Sequence, residues 1–263
     1  MSKNIKIKGG LGNQMFQYAY GRNLELAGKK IIFNTSFFNR NKAKMDTARD
    51  FKLNNFNIKT EAIFSNKKHP LTGPINKILI KLRLKPDGFW QNAKYFKNIE
   101  KEIREEFTLR KPLDEKFANI SRQIENIPSV SIHIRRGDYV NDPKTKAVHN
   151  VCDLDYYNKA IDIIKTNVNN PTFFVFSDDI DWVSKNLEIN SPTFWVSNLK
   201  SKDYEELILM SKCKHNIIAN SSFSWWGAWL NQNPDKIVIA PKQWLINKTA
   251  DELDILPPRW IKI

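Results

Sequence analysis

Cysteine is nearly missing from this chain, with 2 in 263 residues. Cys152 and Cys213 lie far apart with no paired spacing, which excludes a disulfide framework and a thiolate zinc site and leaves two inert thiols. Long apolar runs are also missing. The opening Met1-Ser2-Lys3-Asn4-Ile5-Lys6-Ile7-Lys8 has lysines where a signal peptide needs its apolar core. No stretch approaches the ~20 apolar residues of a membrane-spanning helix, so a soluble, cytoplasmic protein is expected. Neither the dinucleotide-binding G-x-G-x-x-G pattern nor a P-loop is present. Acid is in short supply, with 28 Asp and Glu against 42 Lys and Arg, a net charge of +14. That excess points to a nucleotide, an anionic membrane surface or nucleic acid as partner, without choosing among them.

What is there is globular. A 41% hydrophobic content with 16 Phe and 8 Trp excludes a disordered chain. The length allows one large domain or two ordinary ones. Ile5-Lys6-Ile7-Lys8 alternates as a short strand, Gly9-Gly10-Leu11-Gly12-Asn13-Gln14 turns the chain, and an apolar-periodic helix follows over 15–26. A glycine turn opening a helix offers backbone N–H groups to an anion, though such turns often need glycine for geometry alone. Ile31-Ile32-Phe33-Asn34 reads as a second strand, and residues 39–68 show no period. Over 75–85, Ile75, Ile78, Leu79 and Leu82 share one helical face and Lys77, Lys81 and Lys85 another. Such a helix can lie on anionic lipid, but an ordinary surface helix with its stripe in the core is preferred. Helices over 98–110 and 113–125 lead to Pro128, which sets domains at 1–127 and 128–263. The second half alternates strands (130–134, 172–176, 216–219, 236–240) with helices (155–167, 201–212, 224–230), the signature of parallel β-α-β units.

The chemistry gathers at strand ends. In Ser131-Ile132-His133-Ile134-Arg135-Arg136-Gly137-Asp138-Tyr139 an alternating strand runs into two arginines, a glycine and an aspartate. The carboxyl ends of parallel strands face the ligand crevice, and an arginine fork binds phosphate with two charge-assisted hydrogen bonds. The other reading is an Arg–Asp surface pair, ranked second because His133 lies beside the arginines and Gly137 admits a close approach. Ser177-Asp178-Asp179 and Asn220-Ser221-Ser222 end two further strands. Singly they are turn and cap chemistry; together they make a plausible sugar-nucleotide site, with arginine and serine on the diphosphate and aspartate on base or ribose.

Five segments, taken in order, resemble the bacterial α-1,2-fucosyltransferases of glycosyltransferase family 11. They are Gly9 to Tyr18, the His133 to Tyr139 box, Val148-His149-Asn150-Val151-Cys152 with Leu154-Asp155-Tyr156-Tyr157, Phe176-Ser177-Asp178-Asp179, and Asn220 to Leu230. The resemblance implies an α/β, GT-B-like fold of two Rossmann-like domains with parallel sheets facing a cleft, the first on the acceptor side and the second binding the GDP-sugar. It further implies GDP-β-L-fucose as donor, inversion to an α-1,2 linkage on a galactoside, free or lipid-linked, and no metal or other cofactor. Peripheral contact with the membrane's inner face fits that role; nucleic acid does not. By the same resemblance Arg135 binds the β-phosphate, His133 and Asp178 help hold the nucleotide, Ser221 or Ser222 lies near the diphosphate, and Gly10 to Asn13 face the cleft. The base that takes the acceptor proton is open among Asp138, Asp142, His149 and Asp155; Asp138 is equally a structural partner for Arg136.

Two rivals remain. Asp153-Leu154-Asp155 and Asp179-Ile180-Asp181 fit the Asp-x-Asp of a metal-dependent GT-A glycosyltransferase, although the arginine box makes a cation less necessary. A basic nucleic-acid-binding protein would use the charge and the aromatics, but Trp225, Trp226 and Trp229 sit at helical spacing that favours core packing.

Overall fold

The computed structural model describes residues 2–39, 49–67, 88–149 and 152–263; the basic helix expected over 75–85 lies outside them. Two compact units divide the chain, Met1–Arg110 and Lys111–Ile263. The helix Glu115–Asn126, expected to close the first domain, thus falls in the second unit.

In the first unit, β1 (Lys3–Lys6), β2 (Ile31–Asn34) and β3 (Ile63–Ser65) form a parallel sheet in that order. Helix Leu11–Leu26 joins the first two strands and buries Met15, Phe16, Tyr18 and Ala19 alongside Ile5 and Phe33. β1 begins two residues ahead of the expected alternation, yet Ile7 N–H still bonds to Asn34 O at 2.8 Å. β3 arises in the stretch that showed no period, because three residues are too few to display one. Glu106, 1% exposed, accepts from the Tyr18 hydroxyl and from Arg22 Nε at 2.9 Å, so its buried charge is compensated.

The second unit is built on a six-stranded sheet of order β11-β8-β7-β4-β5-β6. Its strands are β4 (Ser129–Ile134), β5 (Thr172–Ser177), β6 (Thr193–Trp195), β7 (His215–Ile217), β8 (Val238–Ala240) and β11 (Ile261–Lys262). Every ladder is parallel. Read from β6, this is the doubly wound 3-2-1-4-5-6 order, whose switch point falls between β4 and β7. All six positions of β4 are buried, so its alternation separates two covered faces rather than core from solvent, as parallel sheets require. The polar residues are accommodated by bonding: Asn216 Nδ2 donates to Ser131 Oγ at 2.7 Å and Asn231 Nδ2 to Asn216 Oδ1 at 2.8 Å. β6, β11 and the hairpin β9 (Gln243–Leu245) with β10 (Lys248–Thr249) are strands of two or three residues that the sequence pattern does not announce.

Helix Ser222–Leu230 carries the tryptophans inward. Trp225 and Trp226 are fully buried and Trp229 is 5% exposed. Trp225 packs against Trp226 at 5.1 Å and Trp260 at 5.6 Å, and its Nε1 donates to Ile255 O at 2.8 Å. These three tryptophans therefore serve the core and offer no face to a polynucleotide, so their cluster does not favour that rival.

Candidate functional site at the carboxyl edge of the second sheet

β4 is flanked by β5 and β7, with Ile134 paired to Ser177 and Ile132 to Ile217. This register brings the three polar strand ends to one edge, as expected of parallel strands. Leaving β4, the two arginines part. Arg135 Nη2 donates to Asp138 Oδ1 at 2.5 Å, and its Nη1 lies 2.9 Å from Asp178 Oδ2. Arg136 turns the other way, its Nε 3.1 Å from Asp179 Oδ2 and its guanidinium 3.4 Å over the Trp182 ring. Asp138, open as a base or as a structural partner of Arg136, pairs with Arg135 instead, and Arg136 takes a neighbouring carboxylate, Asp179. The helix Gly137–Asn141 starts where a loop was expected, and its first turn carries Asp138 back to Arg135.

Arg135 is therefore gripped at both terminal nitrogens. Burial works against its charge, but Asp178 and Asp138 hold its pKa above the ordinary arginine value. Asp178 is itself fixed, because its Oδ1 accepts from the backbone N–H of Arg136 at 2.9 Å. Gly137 makes this possible: a Cβ there would lie 2.4 Å from Asp178 Oδ2 and 3.0 Å from its Cγ. A Gly137→Ala variant is thus expected to push Asp178 off Arg135, lowering turnover about tenfold and stability by about 1–3 kcal/mol. Kinetics and a thermal melt check it.

His133 sits one step back on β4, 4% exposed, with its ring 5.4 Å from Phe223. Burial, reinforced by Arg135, pulls its pKa down to about 3, so the imidazole is neutral. Its Nδ1 has no hydrogen-bond partner among the described residues, an uncommon state for a buried polar atom. Ser221 caps helix Ser222–Leu230, its hydroxyl accepting from Phe223 N–H at 3.3 Å, while Ser222 is the first helical residue. His149 stacks on Tyr139 with centroids 4.6 Å apart, and its Nδ1 is likewise buried without a partner among the described residues. Burial lowers its pKa, with Asp138 opposing and Arg135 assisting.

Asp155 is brought to neither Arg135 nor Arg136 by any ion pair. It is exposed on the helix Leu154–Asn167, paired with Lys159 at 2.6 Å. Asp153 caps that helix by accepting from Tyr156 N–H at 2.8 Å, and Asp142 accepts from the N–H groups of Lys144 and Thr145. Both Asp-x-Asp pairs are therefore split between other tasks, Asp179 being held by Arg136. Among the described residues no group of three His, Cys, Asp or Glu could hold a metal ion, and no helix is long and apolar enough to cross a membrane. Cys152 and Cys213 are free, and burial raises both thiol pKa values. Gly10 and Asn13 belong to the first unit, where Asn13 Oδ1 accepts from Gln91 Nε2 at 2.6 Å.

Two tyrosines carry structural roles at this edge that the sequence reading did not assign. Tyr139 donates to Asn220 O at 3.1 Å across the switch point and lies 5.6 Å below the Arg135 guanidinium. Tyr157 donates to His133 O at 3.1 Å. Both stand inside the segments that carried the resemblance, which was the available signal.

A doubly wound sheet with a clamped arginine at its switch point defines a Rossmann-type nucleotide-binding unit. The signature of "Glycosyl transferase family 11" matches residues 2–263, and the chain belongs to that family. The Escherichia coli O-antigen biosynthesis glycosyltransferase WbnK is 33% identical over 302 residues, covering 98% of this chain and 99% of that one. An E. coli alpha-1,2-colitosyltransferase is 37% identical over 284 residues, covering 98% and 97%. A Mus musculus galactoside 2-alpha-L-fucosyltransferase is 27% identical over 245 residues, covering 86% and 63%.

Proposed function

We propose that this chain is an inverting galactoside α-1,2-fucosyltransferase that moves L-fucose from GDP-β-L-fucose to the 2-hydroxyl of a terminal galactoside without a metal ion. The observation that carries the reading is the Arg135 guanidinium, clamped by Asp138 and Asp178 at the switch point, in a family 11 chain with a fucosyltransferase among its relatives. The second unit holds the GDP-sugar and the first takes the acceptor.

Arg135 meets the β-phosphate. As the bond from the fucose anomeric carbon to the phosphate oxygen breaks, its electron pair leaves with GDP, and a preorganised guanidinium stabilises that charge as a cation does elsewhere. His133, neutral and with an unpartnered Nδ1, and the end of helix Ser222–Leu230 with Ser221 and Ser222 complete the nucleotide's surroundings. Asp178 works through Arg135, being already committed to it. The acceptor oxygen forms the new bond and gives its proton to a base. Of the four candidates, Asp138, Asp142 and Asp155 are engaged by Arg135, a helix cap and Lys159. His149, stacked on Tyr139 with an Nδ1 that meets no partner among the described residues, is the candidate left to accept a proton, against the burial that lowers its pKa. A colitosyl donor is the second reading, favoured by the relative that carries that activity in its name.

The test is a donor panel of GDP-fucose, GDP-colitose and UDP-galactose, scored by thermal shift and by transfer to a galactoside in excess EDTA. GDP-fucose should raise Tm and support transfer, and UDP-galactose should do neither. Equal shifts from UDP-galactose would overturn the donor assignment. Transfer lost in EDTA and restored by Mn²⁺ would return the GT-A rival.

A further inference from the structure

Glycine at position 10 has no conformational reason to be there. Its φ of −70° and ψ of 172° are open to any residue, and a Cβ built on it would meet nothing within 4 Å among the described residues. Gly9 beside it differs on both counts, with φ +82° and a Cβ position 2.9 Å from Asn13 Nδ2. The absent side chain at position 10 therefore leaves open space against backbone, the condition for a ligand's close approach.

An aromatic segment is tied to the same turn through Gln91 and Asn13. Trp90 has φ 47°, a left-handed conformation that bulky side chains resist and that clusters at ligand-binding sites. It is held by stacking on Tyr20 at 4.4 Å and 15° and by the bond from Gln91 Nε2 to Asn13 Oδ1. Its neighbour Phe89 is left 42% exposed, with Lys8 Nζ 4.9 Å from the ring centroid. A solvent-facing ring beside an ammonium and an amide pair offers an apolar surface together with hydrogen-bond donors and an acceptor. That is the chemistry of a pyranose, which has one C–H-rich face and a rim of hydroxyls.

We propose that a pyranose ring of the galactoside acceptor stacks on Phe89, with Lys8 and the Gln91–Asn13 amides near its hydroxyls and Gly10 leaving it room. This rests on the fucosyl-transfer reading above and deepens it by naming the acceptor's subsite in the first unit. The test compares wild type with Phe89→Ala, Phe89→Tyr and Gly10→Val, measuring acceptor KM, donor KM, kcat, Tm and the thermal shift given by GDP. Phe89→Ala and Gly10→Val should raise acceptor KM by about tenfold, with donor KM and the GDP shift unchanged, and Phe89→Tyr should restore acceptor KM. An unchanged acceptor KM in Phe89→Ala, or an equal loss in donor KM, overturns the subsite while leaving fucosyl transfer intact. A wild-type protein that transfers fucose to no galactoside overturns the reading beneath it, and the subsite with it.

Discussion

Replacing Arg135 with lysine is expected to lower turnover with GDP-fucose on the order of a hundredfold while the protein stays folded. Lysine keeps the charge between Asp138 and Asp178, so neither carboxylate is stranded, but it loses the planar fork that reaches two carboxylates and a phosphate at once. Removing the charge altogether would leave two carboxylates uncompensated and would confound catalysis with unfolding. Arg136→Lys should behave in the opposite way. Its guanidinium lies on Trp182 and pairs with Asp179, so the loss should be about 1 kcal/mol of stability with most turnover kept. Steady-state rates and melting temperatures of the two variants separate these outcomes. A folded but inactive Arg136→Lys beside an active Arg135→Lys would move the phosphate contact by one residue.

Acidification from pH 6.5 to pH 4.5 should cost the wild type about 2 kcal/mol more stability than it costs His133→Gln. The folded imidazole stays neutral until about pH 3, whereas the unfolded one titrates at its ordinary value of 6.5. Below 6.5 the unfolded chain therefore binds a proton that the folded chain refuses, and the stability present above that pH is lost as the pH falls. His149 and His215, also lowered by burial, act in the same direction in both proteins and cancel from the comparison. Denaturant titrations at several pH values measure the difference. Parallel curves for the two proteins would mean that His133 is charged, or hydrated, in the folded state.

The second sheet was legible because its chemistry is written in contiguous strings, each an apolar run ending in polar residues, and parallel strands gather such ends by geometry alone. The Arg135 clamp was not. Asp138 reaches Arg135 only because a helix begins at Gly137, and a helix of five residues leaves no period to read. Asp178 reaches it through the β4–β5 register, which no local pattern encodes. Asp155 shows the reverse: closeness in sequence to the arginines does not say what a side chain meets, and the helix beginning at Leu154 pairs it with Lys159. Short edge strands such as β6 and β11 exist because a neighbour offers hydrogen bonds, so tertiary context decides them.

Of the 8 tryptophans, only Trp90 lies in the first unit, and Trp225, Trp226, Trp229 and Trp260 crowd together in the second. The protein's intrinsic ultraviolet emission is therefore dominated by one half of the chain. A fluorescence melt would follow the unit that holds Arg135 and His133, while loss of the first unit would pass almost unseen except through Trp90. Far-ultraviolet circular dichroism, which counts helices in both units, should therefore diverge from fluorescence whenever the two unfold at different temperatures. Replacing Trp90 with phenylalanine would leave the first unit without tryptophan, so that emission excited selectively from tryptophan belongs to the second alone.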